Sequence, residues 1–359
     1  MNAPAPYAPA DRPDVRITDQ VSIGNGQPVF VIAEIGQNHN GSMETAKKLI
    51  DVAAKCGVTA IKSCKRDLKS ELTQEAWDRP YVGPQSFGPT YGEHRMVLEL
   101  SPEQHQELSD HSNQKGLIYF VSACDVPSVD VMEGIGVPLY KVASRDLTNI
   151  PLLERMAETG KPIILSAGMG GEEDLQDAFD VIRAHHDNIV LLQCTSEYPT
   201  PYPDVNLNAM QTLRERFDVL VGLSDHTIGI MTAVAGVAMG AVAVEKHLTL
   251  ARHMKGTDHA ASLEPAGMEK VVRDIQNLRQ AFGDGSLSVP EGVQVAEAKL
   301  RRSLTSGCRI AEGTMLAEEH LVLKSPGTGL KWRERAQLLG KRATRDIEAD
   351  QTLRPEDFS

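Results

Sequence analysis

Residues 220–265 read LVGLSDHT (220–227), an Ala/Gly/Met-rich run, AVAVEKHLTL (241–250) and, a few residues on, KGTDHAASLEP (255–265). The apolar runs Leu220–Leu223 and Ala241–Val244 are short and flank a helical pattern, as neighbouring buried parallel strands do. Each run ends in polar residues: Ser224, Asp225 and His226 on the first, Glu245, Lys246 and His247 on the second. Side chains alternate along a strand, so Ser224 shares a face with His226, and Glu245 with His247. If both strands turn those faces inward, two imidazoles and a carboxylate meet at one mouth. That donor set suits a divalent cation with open positions, Mn²⁺ or Mg²⁺.

Working outward, the same rhythm fills the chain. VFVIAEIG (29–36) predicts a strand, and Ser42 caps a helix over Met43–Cys56 with Ala46, Leu49, Ile50 and Ala53 on one face. Further strands are predicted near Ala60, Ile118, Leu139, Ile163 and Ile189, each followed by a helix. With the two opening strands this makes eight βα units, the pattern of a TIM (β/α)8 barrel, an α/β fold. A doubly wound open sheet is the competing arrangement, but no glycine fingerprint follows the first strand. The stretch from Cys64 to Leu100 breaks the rhythm with three prolines and three glycines. Its aromatics Trp77, Tyr81, Phe87 and Tyr91 predict an ordered loop covering a substrate.

Composition bounds the rest. The 359 residues are 41% hydrophobic, enough for a large core and a small second domain, and carry a net charge of -12 with no basic run. This argues against a nucleic-acid surface, and no apolar run reaches the length of a membrane span. Five cysteines without a CxxC spacing fit a reducing compartment, so the expected location is cytoplasmic. Residues 1–20, rich in Pro and Ala, are expected as a disordered leader, 21–285 as the barrel and 286–300 as a linker. Residues 301–359, with Gly-containing turns between short strand-like pieces, are expected as a small, mostly β domain.

Catalytic groups of a TIM barrel sit at the C-terminal ends of its strands. The polar strand ends here are Glu34, Lys62, Lys141, Ser144, Ser166, Thr195, Ser196, Ser224, His226, Glu245 and His247. Two lysines and several hydroxyls at one mouth suit a phosphate or carboxylate. Glu34 or Glu245 suits general-base work or the orientation of a water. Each residue also has a plainer use: a strand-end histidine can be a hydrogen-bonded structural residue, the lysines can form ion pairs, and the serines can cap helices. Cys64, Cys124 and Cys194 lie near strand ends and offer either small apolar packing or thiolate ligands beside the histidines.

Taken together, IAEIGQNHNGS (32–42), YKVAS (140–144), KPIILSAGM (161–169), QCTSEYPTPY (193–202), GLSDHT (222–227), VEKHLT (244–249) and KGTDHAASLEP resemble the sialic acid synthase (N-acetylneuraminate synthase) family. The likeness runs over nearly all of Val29–Phe358, and the last part resembles the family's antifreeze-like SAF domain. TYGEHR (90–95) with KGTDHAASLEP looks like the animal-type branch, which takes 6-phosphorylated mannosamine or mannose. The resemblance implies a transferase of carbohydrate biosynthesis that condenses phosphoenolpyruvate with an N-acetylmannosamine-like sugar or its 6-phosphate and releases phosphate. It implies metal ligation by His226 and His247, and phosphoenolpyruvate binding by Lys62, Lys141, Ser144, Ser166, Ser196 and Ser224. It further implies sugar contacts by Tyr198 and Asp258, proton handling by Glu34 and Glu245, and a domain-swapped homodimer. This chain departs from the pattern at Cys64, where the family has Gln, and at Ala123, where Thr is common. It departs again at Ser325-Pro326-Gly327, where an RPG-like turn is usual and where Lys324 or Lys331 would have to substitute. The alternatives are another phosphoenolpyruvate- or pyruvate-using barrel enzyme, or a non-catalytic carbohydrate-binding SAF protein.

Overall fold

The computed structural model describes residues 12–359. Chain contacts divide it into two compact units, Met1–Asp284 and Gly285–Ser359.

Two two-residue strands come first, β1 (Val15–Arg16) and β2 (Ser22–Ile23), paired antiparallel. Eight parallel strands then close a barrel in which β10 hydrogen-bonds to both β3 and β9. They are β3 (Phe30–Gly36), β4 (Ala60–Lys65), β5 (Ile118–Ala123), β6 (Tyr140–Val142), β7 (Ile163–Ser166), β8 (Ile189–Cys194), β9 (Leu220–Asp225) and β10 (Ala243–His247). The TIM barrel expected from the βα rhythm is the observed fold, and closure rules out the open sheet.

The helices of this unit are α1 (Met43–Cys56), α2 (Leu68–Glu71), α3 (Gln74–Asp78), α4 (Tyr91–Leu98), α5 (Pro102–Gln114), α6 (Val126–Ile135), α7 (Ile150–Glu158), α8 (Glu172–Arg183), α9 (Ala209–Phe217), α10 (Met231–Ala238) and α11 (Pro265–Ala281). Helix α1 shows how the sequence sets such an element. Ser42 accepts from Thr45 N at its start, Gly57 ends it in a left-handed conformation, and Ala46, Leu49, Ile50 and Ala53 are buried against the barrel wall.

Two cores result. One lies between strands and helices; the other fills the barrel interior with Phe30, Ile32, Phe120, Ile164, Val190, Leu192 and Leu220. Val15, Ile17 and Ile23 join that interior core, so the β1–β2 hairpin covers the strand-start end and leaves the strand-finish end open. Residues 1–11 of the expected leader lie outside the described residues. Residues 12–20 are a correction: they are built into the barrel unit, with Arg12 paired to Asp187 at 2.7 Å and to Asp218 at 2.9 Å. The reason is the alternation of Val15 and Ile17 with polar neighbours, which buries two side chains against the interior.

The stretch 64–100 is also more regular than the loop expected of it, since α2, α3 and α4 lie within it. Thr90 and Glu93 form a capping box that starts α4 despite the nearby prolines.

In the second unit, α12 (Glu291–Leu300) starts five residues earlier than the linking helix read from Ala296–Arg301. Beyond it, β11 (Ser303–Ser306) pairs antiparallel with β12 (Leu321–Lys324). Isolated bridges such as Ile310↔Ile347 and Ala343↔Phe358 add to the pair around a core of Leu304, Ile310, Leu316, Leu338, Ile347 and Leu353. Lys324 is committed to an ion pair with Asp350, while Lys331 caps a 3-10 turn over Trp332–Gln337.

Candidate active site

The open end of the barrel holds a cavity of about 290 Å³. Glu34, Lys62, Lys141, Ser144, Ser166, Ser196, Tyr198, Ser224, His226, Glu245, His247 and Asp258 all line it. Most of them lie on the barrel strands or just past their carboxyl ends, and Asp258 reaches the cavity from the loop after β10.

Its floor is a buried charge network. Lys62, 5% exposed, pairs with Glu34 and lies 3.6 Å from Glu245, and its Nζ donates to Ser122 Oγ at 3.1 Å. Lys141, 2% exposed, donates to Ser166 Oγ at 2.6 Å and to the Val142 carbonyl at 2.8 Å. Ser224 Oγ donates to Glu245 Oε1 at 3.0 Å. Buried lysines are costly unless paired; Glu34 and Glu245 pair Lys62, whereas Lys141 has only a hydroxyl and a carbonyl as partners. The two glutamates are nonetheless unlike. Burial raises the Glu34 carboxyl to about 7 against the opposing pull of Lys62. Burial also works on Glu245, but Lys62, Lys141 and the two imidazoles outweigh it and hold that carboxyl at about 2. Burial lowers Lys141, whereas for Lys62 the neighbouring Glu245 and Glu34 overcome burial and keep the ammonium charged.

Glycines shape the cavity at two points. Gly36 sits at φ +40, and a Cβ there would come within 2.6 Å of Glu34 Oε1. At Gly168 a Cβ would lie 2.5 Å from Ser196 Oγ and 2.7 Å from Ser144 Oγ. Any larger residue would fill the notch between these two hydroxyls. Gly168 N donates to Ser144 Oγ at 3.0 Å, which aims that serine.

The histidines face each other with ring centroids 5.4 Å apart, and Tyr198 covers both, at 4.1 Å from His226 and 5.5 Å from His247. His226 Nδ1 lies 2.9 Å from the Thr195 carbonyl, so it carries the proton and leaves Nε2 as the lone-pair nitrogen. His247 Nδ1 is buried with no hydrogen-bond partner, and burial lowers that ring to about 4, so it is neutral at pH 7. Two imidazoles with nitrogen lone pairs to spare fit a divalent cation whose other positions belong to water or substrate. Among the described residues no group of three or more His, Cys, Asp or Glu is placed to hold an ion, so the protein's share of such a site is this pair. The thiolate alternative loses support on the same ground: Cys124 accepts from Arg145 Nη2 at 2.7 Å and burial pushes its thiol up to about 12. Cys194 is closer to the histidines, 4.0 Å from His226 Nδ1, but stands alone there.

Other residues lining the cavity were not singled out from sequence: Gln37, Arg66, Arg95, Ser122 and Arg145. Ser122 stands one residue before Ala123, and its hydroxyl serves Lys62. Arg66 and Arg145 each follow a strand end by a short step, which is the signal that would have found them.

The fold and this site together define a (β/α)8-barrel enzyme whose mouth is lined by lysines, arginines and hydroxyls. Comparison gives the family: residues 49–287 match the NeuB family and residues 301–359 the SAF domain, and the chain belongs to the NeuB family. It is 35% identical over 336 residues to the human N-acetylneuraminate-9-phosphate synthase, covering 93% of this chain and 94% of that one. It is 36% identical over 330 residues to the N,N'-diacetyllegionaminic acid synthase of Campylobacter jejuni, covering 90% of this chain and 98% of that one. Among solved structures, the N-acetylneuraminic acid (sialic acid) synthetase of Leptospira borgpetersenii in complex with citrate superposes with a TM-score of 0.69 at 31% identity, covering 79% of this chain and 95% of that one.

Proposed function

We propose that this chain is a nonulosonic acid synthase that joins phosphoenolpyruvate to the open-chain aldehyde of an N-acetylmannosamine-like sugar, or its 6-phosphate, and releases phosphate. The observation that carries the reading is the pairing of two buried lysines with two imidazoles in one cavity. The first pair suits a phosphorylated carboxylic acid, the second a carbonyl oxygen brought up by a cation.

In this reading Lys62 and Lys141 meet the phosphate and carboxylate of phosphoenolpyruvate, and Ser144, Ser166, Ser196 and Ser224 donate to its oxygens. These donors are fixed before substrate arrives, which is the condition for electrostatic catalysis. His226 and His247 would hold a divalent cation, Mn²⁺ or Mg²⁺, which when bound polarises the aldehyde. Tyr198 and Asp258 align the sugar so that C3 of phosphoenolpyruvate approaches the aldehyde carbon. The new C–C bond leaves positive charge at C2, and the aldehyde oxygen takes a proton. Water adds its hydroxyl to C2 and gives up its proton, with Glu34 and Glu245 placed to pass the protons. The C2–O bond to phosphate then breaks, the C2 hydroxyl passes its proton to the departing phosphate, and C2 becomes the ketone.

A Schiff-base aldolase is the second reading, favoured by the burial that lowers Lys141. Borohydride trapping with pyruvate separates the two, since a covalent lysine adduct belongs to the aldolase alone. The main test is phosphate release from phosphoenolpyruvate with and without Mn²⁺, across a panel of free and 6-phosphorylated hexosamines, with products read by mass spectrometry. No release with any acceptor would sink the synthase reading and favour a carbohydrate-binding SAF protein.

The five unpaired cysteines support a cytoplasmic setting, and no described helix is long and apolar enough to cross a membrane. The domain-swapped homodimer is carried over from the resemblance, and sedimentation of the full chain tests it.

A further inference from the structure

Three guanidinium groups line the cavity and have no part in the chemistry above: Arg66, Arg95 and Arg145. Arg66 directly follows β4 and is 4% exposed, yet its Nε has no hydrogen-bond partner. Arg145 lies in the 3-10 turn after β6, where Nη2 donates to Cys124 Sγ at 2.7 Å. Arg95 is steadied by Tyr91 Oη at 2.9 and 2.7 Å, and its Nη1 is buried without a partner. Arg66 and Arg145 are close enough for each to feel the other's charge. Arg66 is buried while Arg145 stays partly open to solvent, and two cations this close are held most cheaply with an anion between them.

That anion is Glu71, the last residue of α2. Its Oε1 lies 3.3 Å from Arg145 Nη2 and its Oε2 3.5 Å from Arg66 Nε. Both contacts are long, and Oε2 makes no hydrogen bond at all, so Glu71 neutralises the pair without clamping it. Helix α2 has four residues, none of them buried, so little anchors this carboxylate. Of the other acids nearby, Asp146 pairs with Arg145 alone and Glu99 is engaged by Lys65, so Glu71 is the one carboxylate shared by both arginines. Glu99 accepts from Lys65 Nζ at 2.6 Å and from Arg66 N at 3.1 Å and reaches only 4.0 Å from Arg66 Nη1; Asp146 sits 3.4 Å from Arg145 Nε.

We propose that Arg66 and Arg145 form a second anion subsite, for a phosphate or carboxylate carried by the acceptor sugar, and that Glu71 holds the place which that group takes. The inference rests on the condensation reading, because the two charged groups of phosphoenolpyruvate are already matched by Lys62, Lys141 and the serines. A further pair of cations lining the same cavity, one buried and one reachable from solvent, therefore suits a further anion, and the acceptor is the substrate left to bring it. The planar fork of arginine suits a phosphate or carboxylate better than a neutral hydroxyl does.

The test is equilibrium titration of the full chain with mannosamine 6-phosphate, mannosamine and phosphoenolpyruvate, each separately, for the wild type and for Arg145→Ala, Arg145→Lys and Glu71→Gln. The phosphorylated sugar is expected to bind at least about tenfold more tightly than the neutral one, a difference of about 1.4 kcal/mol. Arg145→Ala should erase that preference and Arg145→Lys restore part of it. Glu71→Gln should tighten the phosphorylated sugar several-fold and leave the neutral sugar unchanged. Equal binding of the two sugars by the wild type overturns the proposal. So does an Arg145→Ala defect that falls on phosphoenolpyruvate instead of the sugar, or a Glu71→Gln variant that binds both sugars as before. Failure to release phosphate from phosphoenolpyruvate is a separate result: it removes the condensation reading, while the sugar preference still reports on the subsite.

Discussion

The two sides of the barrel mouth solve the burial of charge in opposite ways. On and past β9 and β10 the site has two imidazoles and two carboxylates, Glu245 and Asp258, with His247 Nδ1 left unpartnered. Past β4 and β6 Arg66 and Arg145 each have a carboxylate or thiol within 4.0 Å, and they share Glu71. The first side has lone pairs to offer a cation; the second has donors to offer an anion. Neutral imidazole can be buried with a free nitrogen at modest cost, whereas a guanidinium cannot be left alone. The difference in pairing therefore follows from residue chemistry, and it sorts the mouth into a side suited to a metal and a side suited to an anion.

The largest expected effect comes from removing the metal side. His226→Ala or His247→Ala should lower divalent-dependent turnover by about a thousandfold or more, equivalent to roughly 4 kcal/mol of barrier. The far-ultraviolet spectrum and denaturation midpoint should stay close to wild type. Turnover within about tenfold of wild type in either variant would break the contrast between the two sides.

Beneath the metal side lies a charge pair with no role in the mouth. Lys246 Nζ donates to Asp225 Oδ2 at 2.8 Å and to the Thr227 carbonyl at 2.6 Å, and both side chains are fully buried. Lys246→Met strands Asp225 in the wall and should cost about 3–5 kcal/mol of stability, read by urea denaturation. The double variant Lys246→Met/Asp225→Leu should recover much of that loss. A double variant as unstable as the single one would show that the pair itself, and not the stranded charge, sets the cost.

How much of this was legible follows the same division. The strand-end imidazoles, lysines and serines stand in motifs where alternation fixes which way they face, so the sequence placed them in one cavity. Arg66 and Arg145 escaped notice because they lie one to three residues past their strands, where alternation has stopped and direction depends on the turn. Helices α2 to α4 were hidden by composition: Pro80, Pro84 and Pro89 suggested a loop. Thr90 with Glu93 three residues on was nonetheless a readable capping box. Val15 and Ile17 were overlooked because two-residue strands carry too little pattern to rise above a Pro-rich neighbourhood.

Behind the anion side a neutral relay runs through the wall. His105 Nδ1 lies 2.7 Å from Tyr119 Oη, which lies 2.8 Å from Ser63 Oγ. Burial lowers His105 to about 3, from an ordinary 6.5. The folded ring therefore stays neutral where the unfolded one takes up a proton, so stability is full above pH 6.5 and is lost as pH falls toward 3. The expected loss is roughly 2–4 kcal/mol across that window. His39, lowered by burial to about 4, adds to it with the same sign. His105→Gln should flatten the acid limb of urea midpoints measured from pH 7 down; an unchanged slope would remove His105 from the account.

The smallest effect tests whether the insertion supporting the anion side is locally weak. Thr90 Oγ accepts from Glu93 N at 3.3 Å, and Glu93 Oε2 accepts from Thr90 N at 3.2 Å, which closes the first turn of α4. Thr90→Ala removes one half of that box and should cost about 1 kcal/mol. Because α4 buries only Gly92, His94 and Leu98, the cost should fall on the helix and not on the barrel. Hydrogen exchange should then quicken across 91–98 and leave β3 and β10 as they were. Arg95, held by Tyr91 on that same first turn, would lose its fixed position. Exchange that quickens equally in the barrel strands would mean that α4 unfolds with the whole molecule, and the two sides would differ in chemistry but not in rigidity.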